Sequence, residues 1–221
     1  MIDILLICPE ITKGMKSIGS KCLLQLKKNM TLVEYQIIQL QKIKSSRITI
    51  NIGFDSEKII SILQKYKKIN YTINSNYNNT NHGTNLISYI KKYSPKNLLV
   101  FSSGVLIKND IIDKKFLTDK NKIFVLNKTK QNFNLGCCNT ENIEYIFYDM
   151  PEPWSEIVFL NTEAIELLLS YNEDYFNQMY LFEIINFLLK HNIEFDKIYL
   201  NKTDLMKIEN IKDLQTAKLF I

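Results

Sequence analysis

Along the first two-thirds of the chain, short apolar runs alternate with stretches whose apolar residues recur every three or four positions. The run IDILLI near the N-terminus reads as a buried strand. TLVEYQIIQLQKIKSS follows as a helix: Thr31 and Glu34 have the spacing of a capping box, and Val33, Ile37 and Leu40 fall on one face. RITINIGF reads as a second strand closed by Gly53, DSEKIISILQKYKK as a helix capped by Asp55 or Ser56, and NYTIN as a short third strand. A polar loop, SNYNNTNHGT, ends at Gly83 and leads to the helix NLISYIKKY, which halts near Pro95. NLLVFSSGVLI is a strongly apolar strand that breaks at Ser102, Ser103 and Gly104. This β-α-β-α-β-α-β order predicts an α/β fold with a doubly wound, mainly parallel, Rossmann-like sheet. Ligands of such sheets bind at the carboxyl ends of the strands.

The last third changes character. KIFVLN, IEYIFYD and SEIVFLN read as strands separated by turn-rich pieces, the last turn being MPEPW. TEAIELLLSY and YFNQMYLFEIINFLLKHN read as helical, IEFDKIYL as a further strand and NIKDLQTAKLF as a closing helix. The aromatic-rich YNEDYFNQMYLFEIINF reads mostly as core packing, and rings of it left exposed would make an oligomer face. No linker, repeat or low-complexity tail interrupts the pattern, so the 221 residues predict a single domain.

Composition narrows the classes without choosing among them. The apolar fraction of 46% and charged fraction of 23% suit a soluble globular protein, expected in the cytoplasm. No apolar stretch approaches the roughly 18 residues of a membrane span, and the N-terminal apolar run is too short for a signal peptide and lacks a basic flank. A formal charge of +5, with lysines spread along helix faces, gives no nucleic-acid signature, and no zinc-finger, RNA-recognition or arginine-rich pattern is present. The four cysteines, Cys8, Cys22, Cys137 and Cys138, form no CxxC pair and read as reduced structural thiols.

The chemistry concentrates in CPEITKGMKSIGSKCLLQL, directly after the first strand. A strand, a loop with glycines and lysines, and a lysine before an apolar run is how many nucleotide-binding domains begin. Three stretches in order then carry a specific likeness. LLICPEITKGMKSIGSKCLLQLKKNMTLVEYQIIQLQK resembles the opening of the sugar-phosphate and choline-phosphate nucleotidyltransferases, where a strand runs into G-x-G-x-R-M, then P-K-x-L, then a helix beginning l-i-e-y. NYNNTNHGTNLISYI resembles their base-contacting loop and helix, LLVFSSGVLI their strand with a G-D-V turn, and MKIENIKDLQTAKLF their E-I-D-t-x-e-D-L-x-x-A ending. The small members that activate phosphocholine or phosphonates with CTP carry a TN pair in that loop, as Thr80 and Asn81 do here.

The likeness spans nearly the whole chain and implies a nucleotide-binding half, 1–126, and an acceptor-binding half, 127–221. It implies transfer of a nucleotidyl group, cytidylyl by closest likeness, from an NTP to a phosphorylated small molecule with Mg²⁺, for cell-surface glycan decoration. Lys21 matches the phosphate-binding lysine of the P-K motif, and Asn81, Gly83 and Thr84 lie in the loop that approaches the base. Glu209 sits where the family places its second metal-binding aspartate, and Asp213 and Leu214 match the D-L of the last helix in capping and packing roles. Trp154 and Glu156 are candidate acceptor contacts; His82, beside Gly83, reads as a loop hydrogen-bonder.

The departures fall on the chemical positions. Glu10 and Thr12 stand for the two glycines of G-x-G, and Pro9 has no amide to donate. Gly14 stands for the loop arginine, with Lys13 and Lys16 as replacement charge. Ser103 and Gly104 occupy the turn where the first metal aspartate belongs, and Asp110 or Asp113 would have to swing back to replace it. Two readings therefore stand beside each other: a nucleotidyltransferase, and a degenerate descendant that binds a nucleotide, a second copy or a partner protein. A glycosyltransferase of related architecture is a third, but SSGV offers no D-x-D.

Overall fold

Six consecutive buried residues, Asp3–Cys8, form β1, the central strand on which the site is built. The structure is a computed structural model that describes residues 2–8, 19–43, 47–108, 112, 120–127, 135–138, 140, 142–201 and 203–221. β1 lies parallel to β4 (Arg47–Ile52) on one side and β6 (Leu98–Ser102) on the other, and β5 (Ile69–Ile73) extends the parallel array beyond β4. Beyond β6 comes β11 (Glu152–Leu160), antiparallel, which also pairs with β8 (Asn121–Leu126) and β9 (Leu135–Cys137). β10 (Ile146–Tyr148) closes the edge on β9, and β12 (Phe195–Leu200) runs parallel to β8. The sheet is thus the mainly parallel, doubly wound one that the alternating pattern predicts, with one long antiparallel strand set into it.

Helices cover both faces. α1 (Leu32–Leu40) and α2 (Ser56–Leu63) pack on one; α3 (His82–Tyr93), α4 (Thr162–Leu169) and α5 (Leu181–Lys190) pack on the other. A third small cluster joins α6 (Ile211–Phe220) to β2 (Gln25–Lys27) and to the outer side of α1. None of the described helices is long and apolar enough to cross a membrane. The four thiols are free, with Cys8, Cys22 and Cys137 buried.

Several sequence expectations change on contact with tertiary structure. α1 is buried on nearly every side rather than on one face, Glu34, Gln36 and Gln39 included, because α6 and β7 (Val105–Ile107) cover what would be its solvent side. Asp55 precedes α2 in the left-handed region, φ 57°, and makes no cap hydrogen bond to the helix; its Oδ2 accepts the Ser20 amide at 3.2 Å instead. The segment 175–192 is not one helix: Tyr175 and Phe176 end a short 3₁₀ turn, Glu173–Phe176, and α5 starts only at Leu181. The turn expected at MPEPW lies partly inside β11, where Pro153 sits opposite Gly136. β13 (Leu205–Lys207), which has no clear pattern of its own, pairs with β7.

The capping box at Thr31 is present, and it carries a charge balance that can be tested. Glu34 Oε2 accepts the Thr31 amide at 2.7 Å and its hydroxyl at 2.8 Å, while Oε1 pairs with Lys65 at 2.5 Å. Burial alone would push Glu34 up, but the Lys65 and Thr31 donors hold its carboxyl below the ordinary glutamate range. A depressed folded value contributes stability above the unfolded pKa, about 4.3, which is lost as pH falls through the folded value. The destabilisation caused by Glu34→Gln should therefore be full at neutral pH and shrink below about pH 4. Urea unfolding of both proteins across that range checks it; a pH-independent difference would contradict the assignment.

Candidate functional site

Three chain segments that are distant in sequence converge beyond the carboxyl end of β6. The first is the turn after β6. The Ser103 amide bonds to the Ile7 carbonyl at 3.0 Å, and the Gly104 carbonyl accepts the Ile208 amide at 2.9 Å. Gln36 ties the turn to α1 by donating to the Val105 carbonyl at 2.8 Å. The second is Lys21, the first residue of a 3₁₀ turn that follows Gly19, φ +91°. A Cβ built on Gly104 would lie 3.1 Å from Lys21 Nζ and 3.0 Å from the Ile208 carbonyl oxygen. The Lys21 ammonium thus lies close against the turn at Gly104.

The third is an irregularity in β11. Trp154 pairs with Val125 but Val158 with Ile123, so β11 has more residues than β8 across this stretch, and Glu156 takes φ +61°. Such bulges re-aim a side chain at the cost of local pairing. Here the Glu156 carboxylate is aimed at Ser102 and at Lys207 on β13, with a Glu156 Oε1 to Lys207 Nζ distance of 2.5 Å. Lys207 also pairs with Glu209 Oε1. Burial would raise Glu156, yet the Lys207 ammonium, the Ser102 hydroxyl and Lys21 together hold it below the ordinary range. Burial would lower Lys207, and the two carboxylates more than offset this, so its pKa is raised. The pair is charged on both sides.

Beside this cluster lies a partly open cavity. Its polar groups are His82, Ser102 and Glu156, and its walls are Trp154, Tyr148, Tyr180 and Phe182 with Leu135 and Leu181. Trp154 is 2% exposed and its indole N–H donates to the Ile157 carbonyl at 3.0 Å, so the ring is a fixed wall. Tyr180 and Phe182 stack with centroids 6.2 Å apart, and His82 Nδ1 accepts the Leu181 amide at 3.3 Å.

Lys21, Ser103, Gly104, Glu156 and Glu209 are therefore brought to one place, with Trp154 on the adjoining wall. Asn81, Gly83 and Thr84 are placed differently. Gly83 and Thr84 lie within the first turn of α3, and all three engage the segment after the 3₁₀ turn at 173–176. The Asn81 amide bonds to the Asn177 carbonyl at 2.8 Å, the Gly83 amide to the Met179 carbonyl at 2.9 Å, and the Thr84 hydroxyl to Asn177 Oδ1 at 2.9 Å. The close approach that requires glycine at 83 is to Phe176. Glu10, Thr12, Lys13, Gly14 and Lys16 lie outside the described residues, as do Asp110 and Asp113. Asp213 caps α6, its carboxylate accepting the Glu209 and Asn210 amides at 2.8 and 3.0 Å. Lys207 is the site residue that sequence reasoning missed. The available signal was its position two residues before Glu209, which in extended chain puts both side chains on one side.

Mg²⁺ fits this donor set poorly. Both nearby carboxylates are already paired with Lys207, and among the described residues no group of three or more His, Cys, Asp or Glu is placed to hold an ion.

No protein-family model matches the chain, and a search of curated proteins gives no match either. Solved structures do match over its full length. The CTP:phosphocholine cytidylyltransferase from Streptococcus pneumoniae superposes with a TM-score of 0.81 at 15% identity, covering 99% of this chain and 98% of that one. The inositol-1-phosphate CTP transferase from T. maritima gives 0.79 at 12% identity, covering 99% and 94%. HddC from Yersinia pseudotuberculosis complexed with GMP-PN gives 0.75 at 16% identity, covering 99% of each. With the parallel sheet, the antiparallel β11 and the turn after β6 all in place, the chain has the nucleotidyltransferase fold.

Proposed function

We propose that this protein transfers a nucleotidyl group, cytidylyl by closest likeness, from an NTP to a phosphorylated small molecule. The observation that carries the reading is Lys21, whose ammonium lies against the Gly104 turn next to an aromatic-walled cavity. An oxygen of the acceptor phosphate would attack the α-phosphorus, and the bond to the β-phosphate would break to release pyrophosphate. Lys21 meets the phosphate charge, a fixed cation in a partly dry site, which is where electrostatic stabilisation acts most strongly. The cavity takes the organic part of the acceptor. Its rings suit a compact cationic head such as an alkylammonium, and one structural neighbour is a phosphocholine enzyme by name.

A screen for pyrophosphate release, pairing each of the four NTPs with phosphocholine, aminoethylphosphonate and sugar phosphates, tests the reading. Turnover is expected with CTP and a phosphorylated acceptor, and Lys21→Ala should lower kcat/KM on the order of 10²-fold. A second reading, a nucleotide-binding protein without turnover, is favoured by the pairing of both site carboxylates with Lys207. Saturable nucleotide binding with no pyrophosphate from any pair would select it. A folded protein that neither binds nor turns over any nucleotide would sink both.

A further inference from the structure

Among the described residues, a divalent ion at the end of β6 would have to draw on Glu156 and Glu209, and neither is free. Lys207 Nζ stands 2.5 Å from Glu156 Oε1 and pairs with Glu209 Oε1 as well. Its side chain is 13% exposed, Glu156 15% and Glu209 32%, so the three charges are screened only in part. An ion placed among them would set two positive charges against a third at a few ångströms, a repulsion that partly buried surroundings make severe. The turn itself offers no carboxylate, being Ser102, Ser103 and Gly104. Both ammonium groups thus stand where positive charge is needed, one against the turn and one between the carboxylates. They arrive from different segments, Lys21 ahead of β2 and Lys207 at the end of β13.

We propose that Lys207 is the resident cation of this site: its ammonium holds the place between Glu156 and Glu209, and a phosphate-bearing ligand is bound by charge from Lys21 and Lys207 without a divalent ion. The part concerning the ligand rests on the nucleotidyl-transfer reading; the part concerning the cation does not. Lysine suits the role because it is a compact point charge with three donors, enough to serve two carboxylates and one phosphate oxygen.

Two measurements on the full chain separate these parts. Titration with Mn²⁺ alone, followed by its electron paramagnetic resonance signal, should show no saturable site in the wild type beyond weak surface binding. Lys207→Gln leaves two carboxylates facing each other without a cation. It should gain one Mn²⁺ site at least about tenfold tighter than any in the wild type. That site should vanish when Glu156→Gln is added. Lys207→Arg keeps a cation and should bind no Mn²⁺. If Lys207→Gln is poorly folded alone, Mn²⁺ should raise its Tm and leave that of the wild type unchanged. A wild-type Mn²⁺ site removed by Glu209→Gln overturns the proposal, as does failure of Lys207→Gln to gain one by either readout. In the second measurement, CTP affinity should differ by less than about twofold between EDTA and millimolar Mg²⁺. Tightening of tenfold or more with Mg²⁺ overturns ion-independent binding. Absence of CTP binding in both conditions overturns the nucleotide reading and the ligand part with it, while the Mn²⁺ result still decides the cation part.

Discussion

Gly83→Ala should destabilise the protein by about 3 kcal/mol or more, a large effect for the addition of one methyl group. A Cβ at this position would lie 2.0 Å from the Phe176 carbonyl oxygen and 2.9 Å from its carbonyl carbon. Those atoms belong to backbone, so no side-chain rotation relieves the overlap. The start of α3 would have to lift away from the 3₁₀ turn at Glu173–Phe176, and three contacts lift with it. They are the Asn81 amide to Asn177, the Gly83 amide to Met179, and the Thr84 hydroxyl to Asn177. Phe176 itself is fully buried, edge-on to Phe187 at 5.2 Å, so the turn cannot give way cheaply either. The urea midpoint should fall with the slope of the transition unchanged. Thr84→Ala, which removes only one hydroxyl contact, should cost about 1 kcal/mol. The same segment continues into Tyr180, Leu181 and Phe182 on the cavity wall, so KM for the acceptor should rise in Gly83→Ala even where the protein remains folded. Near-wild-type stability would show that α3 and the turn do not meet as described.

Gly83 also shows where sequence reading stops. A glycine next to His82 in a polar loop signals a close backbone approach, but not what approaches; the partner lies nearly a hundred residues on. What was legible was local. The Thr31 and Glu34 spacing gave the capping box, and the alternating runs gave β1, β4, β5, β6 and their helices, because each signal is complete within a few residues. The features that went unread are set across the chain. α1 reads as one-sided until α6 and β7 arrive to bury its outer face. The helix expected over 175–192 breaks because the Asn177 and Met179 carbonyls accept amides from Asn81 and Gly83 rather than from their own helix. MPEPW looks like a turn, yet Pro153, which lacks an N–H, is accommodated in β11 opposite Gly136. Lys207 follows the same rule: K-x-E is an unremarkable spacing until the bulge in β11 brings Glu156 to meet it.

Lys197→Met should cost still more, about 3–5 kcal/mol, because it removes the cation that pairs with Glu152 in a mostly buried cluster and leaves the rest in place. Lys197 Nζ donates to the Cys138 carbonyl at 2.6 Å, the Thr140 carbonyl at 2.7 Å and Glu152 Oε2 at 2.7 Å, with 5% of its side chain exposed. Tyr199 completes the carboxylate by donating to Oε1 at 3.0 Å. Burial alone would lower the lysine, and Glu152 with its neighbours outweighs this, so the ammonium is charged in the folded state. Methionine fills similar volume and keeps the packing, which isolates the electrostatic loss: an unpaired, mostly buried carboxylate and two carbonyls without a donor. Burial has already pushed the adjacent Cys137 thiol up to about 12, so it stays neutral beside the carboxylate. Adding Glu152→Gln to Lys197→Met should recover at least half of the loss, since a neutral amide needs no counter-charge. The expected fall in Tm is roughly 10 °C for the single variant and markedly less for the double. Equal losses in both would mean that packing, not the buried charge, dominates there. The consequence for function follows from connectivity: Glu152 opens β11, four residues before Glu156, and fixes β11 against β9. A variant that loosens this end should move the Glu156 carboxylate relative to Lys207 and weaken phosphate-ligand binding. Glu152→Gln in the Lys197→Met background should restore binding in step with stability.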